Sequence, residues 1–566
     1  MLLLHIIIHH LRISQVKISV SNILMAILLT LSFSIYGQSD RFTAKDSLRG
    51  GYGDGRLSWN LLHYDLHIVP SIENKTLYGS NTIRFQYLRK GPLQLDFQEP
   101  MVIDSILMKE SKMTYSRDGN IFFINAEGIE PGEIATMKVY FHGIPPKAVN
   151  PPWDGGWIFK NDKQGNPWIS VACQDIGASC WFPCKETQQD EPDSGAIISI
   201  DVPDSLTAVA NGRLLQESII GKNIKRFVWE VKSPINQYCL IPYIGKFSRI
   251  RDQYAGLGGP LDLEYWVLSY NKEKAEAHFG EVKKMLQAFE YWFGPYPFYR
   301  DGYKLVEAPH LGMEHQSAIA YGNEYMMGYK GKDLSGSGYG LFWDFIIVHE
   351  SGHEWFGNSI TSKDIADIWI HESFTTYSEI LFTEFFQGKK AADEYCKGLR
   401  NNIDHNSPCK GSYGVYDNPA ARTSDMYWKG ANMLHTIRQI CNDDLKFRMM
   451  LLEMNRRFFH RQTDSKEVES MIMEYTGVHP SLFRQYLSST EIPEFEYRAK
   501  KRKLYYRWSR SVLDLHLPLK VNINGKENWL KATSHWQKCR IKGKIPPQGI
   551  LLTIDQNYYV DLKKGN

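Results

Sequence analysis

Phe345-Ile346-Ile347-Val348-His349-Glu350-Ser351-Gly352-His353-Glu354-Trp355-Phe356 decides how this chain is read. Its apolar flanks predict a buried helix through the whole stretch. Four residues along an α-helix advance about 400°, so His349 and His353 fall on one face about 40° apart, close enough for two imidazoles to grip one cation. Glu350 lies about 100° from that line. It can stand beside a metal without ligating it and take a proton from a water there. A catalytic zinc usually has three protein ligands, and Glu372 is the candidate for the third. Asn358 and the cluster Thr361-Ser362-Lys363-Asp364 break the first helix. Residues Ile365 to Phe386 then predict a second, amphipathic helix that returns and presents Glu372 to the first. A lone His-Glu-x-x-His often marks no more than a solvated helix face, and the downstream Glu makes the pattern far more specific.

The full pattern is His-Glu-x-x-His, eighteen residues, then Glu372 inside Trp369-Ile370-His371-Glu372-Ser373-Phe374-Thr375-Thr376-Tyr377. It closely resembles the gluzincin aminopeptidases, the family of aminopeptidase N and leukotriene hydrolase. The resemblance implies one zinc ion on His349, His353 and Glu372, with Glu350 as general base. Tyr427, in Tyr427-Trp428-Lys429-Gly430, matches the family's Tyr-x-Lys-Gly motif, whose tyrosine donates to the oxyanion; nothing else singles it out among 32 tyrosines. Leu311-Gly312-Met313-Glu314-His315 resembles the family's Gly-x-Met-Glu-Asn. By that match Glu314 binds the substrate amine, and the strand that follows, Ser317 to Tyr321, offers its edge to the substrate backbone. Leu311 and His315 depart from the pattern. Gln174, ten residues before Cys184, aligns with a glutamine that reaches from the N-terminal domain into the amine pocket. His371 replaces the family's usual Asn. Glu379 lies seven residues beyond Glu372, on nearly the same helical face, and reads equally as a partner of the metal ligands or as a surface carboxylate.

Outward from the motif, 566 residues with 43% hydrophobic and 23% charged side chains are ordinary globular composition, long enough for two to four domains. A net charge of +3 gives no reason to expect nucleic acid. The dense basic run Arg498 to Lys503 reads as a solvated linker near a domain junction. Eight cysteines are too sparse for a disulfide scaffold, and Cys173, Cys180 and Cys184 have the wrong spacing for a zinc site. They are buried thiols or partners in one or two disulfides.

At the N-terminus, the thirteen apolar-rich residues Ile23 to Ile35 follow Arg12 and Lys17 and precede Tyr36-Gly37-Gln38. That is a secretory signal pattern, too short to span a bilayer of about 30 Å, and it predicts an exported mature chain with no stable membrane anchor. An uncleaved single-pass anchor is the alternative. A Gly-rich leader follows. From residue 59 to about 250 the pattern alternates in twos (Tyr64, Leu66, Ile68; Ile83, Phe85, Tyr87), with Asn211-Gly212 as a hairpin turn. Tyr64-Asp65-Leu66 and Ala208 to Leu214 resemble the family's N-terminal saddle domain. Helical periods begin near Lys272, starting with Ala275 to Phe293. Beyond Ile492-Pro493 period two returns in Leu515, Leu517, Leu519 and Val521, leading into Asn524-Gly525.

The expected architecture is α+β and multidomain. Residues 1–37 are a signal peptide and 38–58 a leader; 59–250 form an N-terminal β saddle domain, 251–492 a thermolysin-like α+β catalytic domain, and 493–566 a small C-terminal β-sandwich, with no counterpart of the family's large helical C-terminal domain. The expected function is zinc-dependent removal of N-terminal residues from peptides with a free N-terminus. A zinc endopeptidase on the same scaffold, an epoxide hydrolase like the leukotriene enzyme and a non-enzymatic peptide-binding protein are the alternatives. Glu314 and Gln174 argue against the first, because an internal peptide segment has no ammonium to bind.

Overall fold

The computed structural model describes residues 42–541 and 550–565. The apolar run Ile23 to Ile35, and the export reading it carries, lies outside them. No described helix is long and apolar enough to cross a membrane. The leader is more than a tether. Thr43 caps helix α1 (Ala44–Gly50) by accepting from the Asp46 amide while the Asp46 carboxylate accepts from the Thr43 amide, a capping box.

Strand alternation then builds an eight-stranded sheet in the order Arg213–Gly221, Ile224–Val231, Ala196–Pro203, Trp59–Ser71, Thr76–Tyr87, Ile134–Gly143, Val102–Met108, Ser111–Lys112. Tyr64, Leu66 and Ile68 are fully buried opposite Ala196, Ile198 and Ile200, as a period of two requires. Its neighbours are a four-stranded sheet that includes Gly156–Asn161 and Pro167–Ala172 and a three-stranded one. Asn211-Gly212 is not a hairpin turn. The strands on either side of it, Thr207–Val209 and Arg213–Gly221, belong to different sheets. The Asn211 side chain bonds the Ile241 amide at 3.0 Å and the Gln316 carbonyl at 2.7 Å, and the Gly212 amide donates to Ser317 Oγ at 2.9 Å. The pair carries the chain across between layers, and long-range tethers override the local turn signal.

A five-stranded sheet joins the halves in the order Phe247–Gly256, Gly259–Leu268, Tyr303–Glu307, Ile319–Tyr321, Gly312–Met313. Alternation along Gly259–Leu268 assigns its two faces. Leu261, Leu263, Tyr265 and Val267 enter the core under the helices, whereas Trp266 and Leu268 enter the core of the N-terminal sheets, Trp266 lying edge-on to Trp229. The expected helix from Ala275 to Phe293 is divided at Phe279, which packs against Tyr265 and Tyr321; only Gly280–Phe293 (α2) continues to Gly294.

The motif helix α3 (Phe345–Gly352) is shorter than its apolar flanks suggest. Asp344 caps it by accepting from the Ile347 amide at 3.1 Å, and His353 stands at its C-cap with helical dihedrals, so Trp355 and Phe356 lie beyond it. Helix α4 (Trp369–Gln387) follows the strand Ile360–Ser362 and a single tight turn, Ile365–Asp367. It is not amphipathic. Every residue from Trp369 to Thr383 is buried, because α2, α3, the helix Lys389–Leu399 and α5 (Asp425–Cys441) enclose it. Gly388, at φ 87°, ends it by donating to the Glu384 carbonyl.

The C-terminal strands form a four-stranded and a three-stranded sheet whose inner faces share the core of the helical part. The basic run Arg498 to Lys503 is a hairpin here and not a linker. Its residues end Glu494–Lys500 and begin Lys503–Trp508, with Arg498 stacked over Trp536. Asn524-Gly525, both at positive φ, turns the hairpin between Pro518–Ile523 and Lys526–Lys531.

Candidate metal centre

Helices α3 and α4 bring His349, His353 and Glu372 together, with one ligand atom from each within 4.8 Å of the others. The Nε2 atoms of His349 and His353 lie 3.8 and 3.4 Å from Glu372 Oε2. Their other nitrogens are already engaged. His349 Nδ1 donates to Glu379 Oε1 at 2.7 Å, and His353 Nδ1 donates to the Phe356 carbonyl at 3.0 Å, with the Thr375 hydroxyl 3.2 Å away. Both imidazoles therefore turn a bare Nε2 toward the same point. Glu372 Oε2, buried there, has no hydrogen-bond partner among the described residues.

The electrostatics match that geometry. Burial drives the His349 pKa down to about 3, leaving a neutral imidazole suited to a metal. Burial also opposes a charge on His353, yet the carboxylates of Glu372 and Glu314 outweigh it and hold that ring near 10. Burial pushes Glu350 well above the usual carboxylate range, with Glu314 and Glu372 adding repulsion, and raises Glu379 to about 8. Four buried carboxylates, Glu314, Glu350, Glu372 and Glu379, surround two histidines of which only His353 carries a proton charge, so negative groups are in excess and a metal would take the place of that proton on Nε2. An orphaned acceptor, two bare imidazole nitrogens and an excess of carboxylates fit a divalent cation with mixed nitrogen and oxygen donors.

Glu379 is thus no surface carboxylate. Its second oxygen accepts from the Tyr395 hydroxyl at 2.7 Å, so it is fixed from both sides. Phe345 stacks on His349 with ring centroids 5.1 Å apart and 13° between planes. His371 also acquires a role, because its Nε2 accepts from the Ser362 amide at 2.8 Å and ties the first turn of α4 to the strand Ile360–Ser362.

Glu350 and Tyr427 line the cavity of about 620 Å³ in front of the three ligands. Desolvation, together with the nearby Glu372 carboxylate, holds the Tyr427 hydroxyl well above the ordinary phenol pKa. The rest of its motif is structural. A Cβ on Gly430 would lie 1.7 Å from Ser373 Oγ, so only glycine lets α5 close on α4, while Ser373 Oγ donates to the Met426 carbonyl at 2.6 Å. Buried Lys429 donates to the Ser489 carbonyl.

Glu314 enters the same cavity from the loop after Gly312–Met313 and is 3% exposed. Its Oε1 accepts from Gln174 Nε2 and, at 3.2 Å, from the Tyr238 hydroxyl. The departures from the family pattern leave this intact. Leu311 is a wall of the cavity, and His315 lies behind it, bonded through Nδ1 to the Tyr243 hydroxyl at 2.7 Å. One expectation is corrected. Ile319–Tyr321 pairs on both sides, with Tyr303–Glu307 and with Gly312–Met313, so it has no edge to offer. The free edge is Gly312–Met313 itself, packed so tightly on Glu350 that a Cβ on Gly312 would lie 2.6 Å from Glu350 Oε1.

Sequence reasoning missed Thr375, Tyr395, and the pair Pro152 and Trp153, which reach the cavity from the N-terminal half. Thr375 lies within the quoted stretch around Glu372 but nothing there singles it out, Tyr395 is a helical hydroxyl with no motif, and the others sit on a loop. The cysteines resolve as free thiols, with Cys173, Cys180 and Cys184 all buried.

Comparison with known proteins agrees with this arrangement. The sequence matches the Peptidase M1 N-terminal domain over residues 60–239 and the Peptidase family M1 domain over residues 277–486. Aminopeptidase M1 of Arabidopsis thaliana is 23% identical over 405 residues, covering 66% of this chain and 44% of its own. Endoplasmic reticulum aminopeptidase 1 of Rattus norvegicus is 20% identical over 450 residues, covering 73% and 46%. The chain spans about half the length of the curated relatives it matches. Among solved structures, a mutant M1 zinc metallopeptidase from Deinococcus radiodurans superimposes with a TM-score of 0.65 at 20% identity, over 78% of this chain and 96% of that one. The same enzyme bound to a Tyr-Ser-Ala substrate gives 0.63 at 19%, over the same shares.

Proposed function

The chain belongs to peptidase family M1, and on that footing we propose that it is a zinc-dependent aminopeptidase that removes residues from the N-termini of peptides. The observation that carries the reading is that the three-ligand set shares one cavity with Glu314, a buried carboxylate held by Gln174 and Tyr238. A fixed carboxylate beside a metal suits an α-ammonium, and the endopeptidase alternative gives it nothing to bind. The complete set of ligands, base and tyrosine speaks against a non-enzymatic peptide binder.

When held by His349, His353 and Glu372, zinc supplies a Lewis acid that polarises the scissile carbonyl and acidifies water. Glu350 accepts the proton of the attacking water on its carboxylate and passes it to the leaving amine nitrogen. Tyr427 stays protonated and donates its hydroxyl hydrogen to the carbonyl oxygen as charge builds there. Glu314 and Gln174 anchor the ammonium, and the edge Gly312–Met313 offers backbone groups to an extended peptide.

Glu314→Gln tests this. A charge-assisted contact is worth about 1.5–3 kcal/mol, so the variant should lose on the order of ten- to several-hundred-fold in kcat/KM on free peptides while keeping its zinc. Acetylating the peptide N-terminus should harm the wild type comparably and the variant little further. Equal cleavage of free and acetylated peptides by the wild type would favour the endopeptidase. We also propose export, on the strength of Ile23 to Ile35; N-terminal sequencing of the naturally made protein should find a start close to Gln38, and recovery of Met1 or Met25 in a cytoplasmic fraction would refute it.

A further inference from the structure

The convergence of ligand atoms in the cleft does not end with His349, His353 and Glu372. One oxygen of Glu314, one oxygen of Glu350 and one ring nitrogen of His353 also lie within 4.8 Å of one another, and all three residues are buried. Two features set this corner apart from a chance meeting of carboxylates. Glu350 is only 8% exposed, yet its carboxylate makes no hydrogen bond or ion pair with any described residue and faces the cavity. A carboxylate so desolvated calls for a counter-charge. Glu314, in contrast, is held firmly, but both of its side-chain donors, Gln174 and Tyr238, take the same oxygen, Oε1. Its Oε2 is left to the cavity.

We propose that Glu314 and Glu350 form a second, weaker divalent-cation site, which takes zinc in excess of the first equivalent and shuts the enzyme off. The proposal rests on the zinc aminopeptidase reading above. His353 is the corner common to both sets, and its bare Nε2 is committed to the first ion. The second ion therefore has two carboxylates and water, one protein ligand fewer than the first, and binds more weakly. Two carboxylates fall well short of the six or more oxygens that calcium seeks, whereas zinc completes a four-coordinate shell with two waters. An ion there occupies the proton acceptor, Glu350, and the anchor of the substrate ammonium, Glu314. Zinc and the peptide N-terminus then exclude each other, so the inhibition is competitive.

The test is equilibrium dialysis of the full chain against buffered free zinc, with metal content read by elemental analysis, on wild type, Glu314→Gln and Glu350→Gln. Initial rates are measured on the wild type in parallel. The wild type should pass from one to two equivalents, the second needing at least a hundredfold more free zinc. Across that second step KM should rise at least tenfold while kcat at saturating peptide holds. Each variant should keep its first equivalent, which also shows that it is folded, and stop there. Should one variant fail to fold, the other decides. Wild type that saturates at one equivalent overturns the second site and leaves the aminopeptidase reading standing, whereas wild type without even the first equivalent overturns both. A second equivalent that persists in both variants, or a loss of rate that added peptide does not relieve, overturns the second site alone.

Discussion

The two walls of the cleft are built by opposite means. On one wall, helices α3, α4 and α5 carry His349, His353, Glu372 and Tyr427, each fixed by residues a few turns away or on the adjoining helix. On the other, Gln174, Pro152 and Trp153 come from loops of the N-terminal half, and the loop of Gln174 is held by residues far away in the chain. Gln174 lies in a turn closed by the Gly177 amide on the Cys173 carbonyl, and the following carbonyls of Asp175 and Ile176 are gripped by Tyr416 and Arg49. A wall of packed helices places atoms by periodicity. A wall of loops places them by tethers, and the tethers set its precision. The two walls should therefore fail differently: damage to the helical wall should abolish metal binding or chemistry outright, and damage to the loop wall should loosen substrate binding.

The largest effect expected on the helical wall is that of Glu350→Gln. The amide cannot accept the proton, so kcat should fall roughly 10²–10⁴-fold, the usual contribution of general acid–base catalysis, with zinc content unchanged. Single-turnover kinetics with elemental analysis check both halves of that statement. Removing the metal with a chelator should abolish turnover, and stoichiometric zinc should restore it. Activity retained by a preparation shown to be metal-free would end the zinc mechanism.

Next in size is Glu379→Gln. Glu379 has both its oxygens taken by other side chains. It orients His349 by accepting from Nδ1 and is itself held by Tyr395, so losing its charge should cost about 10- to 100-fold in metal affinity through the supporting contact alone. Zinc competition with a chromophoric chelator measures this. Once saturated with zinc, the variant should regain most of its kcat. A permanent loss of kcat at full zinc occupancy would show that Glu379 takes part in the chemistry, and the simple division between the walls would fail.

The same contrast explains what could be read from the sequence. His349, His353 and Glu372 were legible because helical geometry converts spacing into position, and Tyr427, Glu314 and Gln174 because they sit in motifs resembling a family. The alternation of Tyr64, Leu66 and Ile68 gave away its sheet for the same local reason. What stayed hidden depended on distant partners. Asn211-Gly212 carries a strong hairpin signal, yet bonds to Ile241, Gln316 and Ser317 turn it into a crossing. Helix α4 looked amphipathic from the sequence, where apolar residues are interspersed with polar Thr375, Ser378 and Glu379. They are buried, with hydroxyls and carboxylate satisfied by His353, the Thr375 carbonyl, His349 and Tyr395. The leader offered only glycines to the eye, and its helix is legible only through the Thr43 to Asp46 capping box.

That leader supplies the smallest effect and the finest probe of the loop wall. Arg49, in the last turn of α1, stacks its guanidinium 3.4 Å above the Tyr416 ring and donates to the Ile176 carbonyl. Tyr416 in turn donates its hydroxyl to the Asp175 carbonyl at 2.9 Å, and its amide donates to the Asp46 carbonyl at 3.2 Å. One arginine thus clamps two segments of the cavity rim, the turn carrying Gln174 and the loop leading to Arg422, Thr423 and Ser424. A stacked arginine is worth about 0.5–2 kcal/mol, and only part of that loss reaches the position of Gln174. Arg49→Ala should accordingly raise KM for free peptides about two- to tenfold, with kcat and zinc content close to wild type. Arg49→Lys, which keeps the charge but not the planar fork, should fall between the two. The readout that separates a positioning role from general destabilisation is the response to acetylated peptides. These do not use the Glu314 and Gln174 anchor, so their already poor cleavage should be unaffected by Arg49→Ala. If cleavage of free and acetylated peptides declined in parallel, or if kcat fell with KM unchanged, the clamp would be acting on the fold as a whole, and the loop wall would owe its precision to something other than the leader.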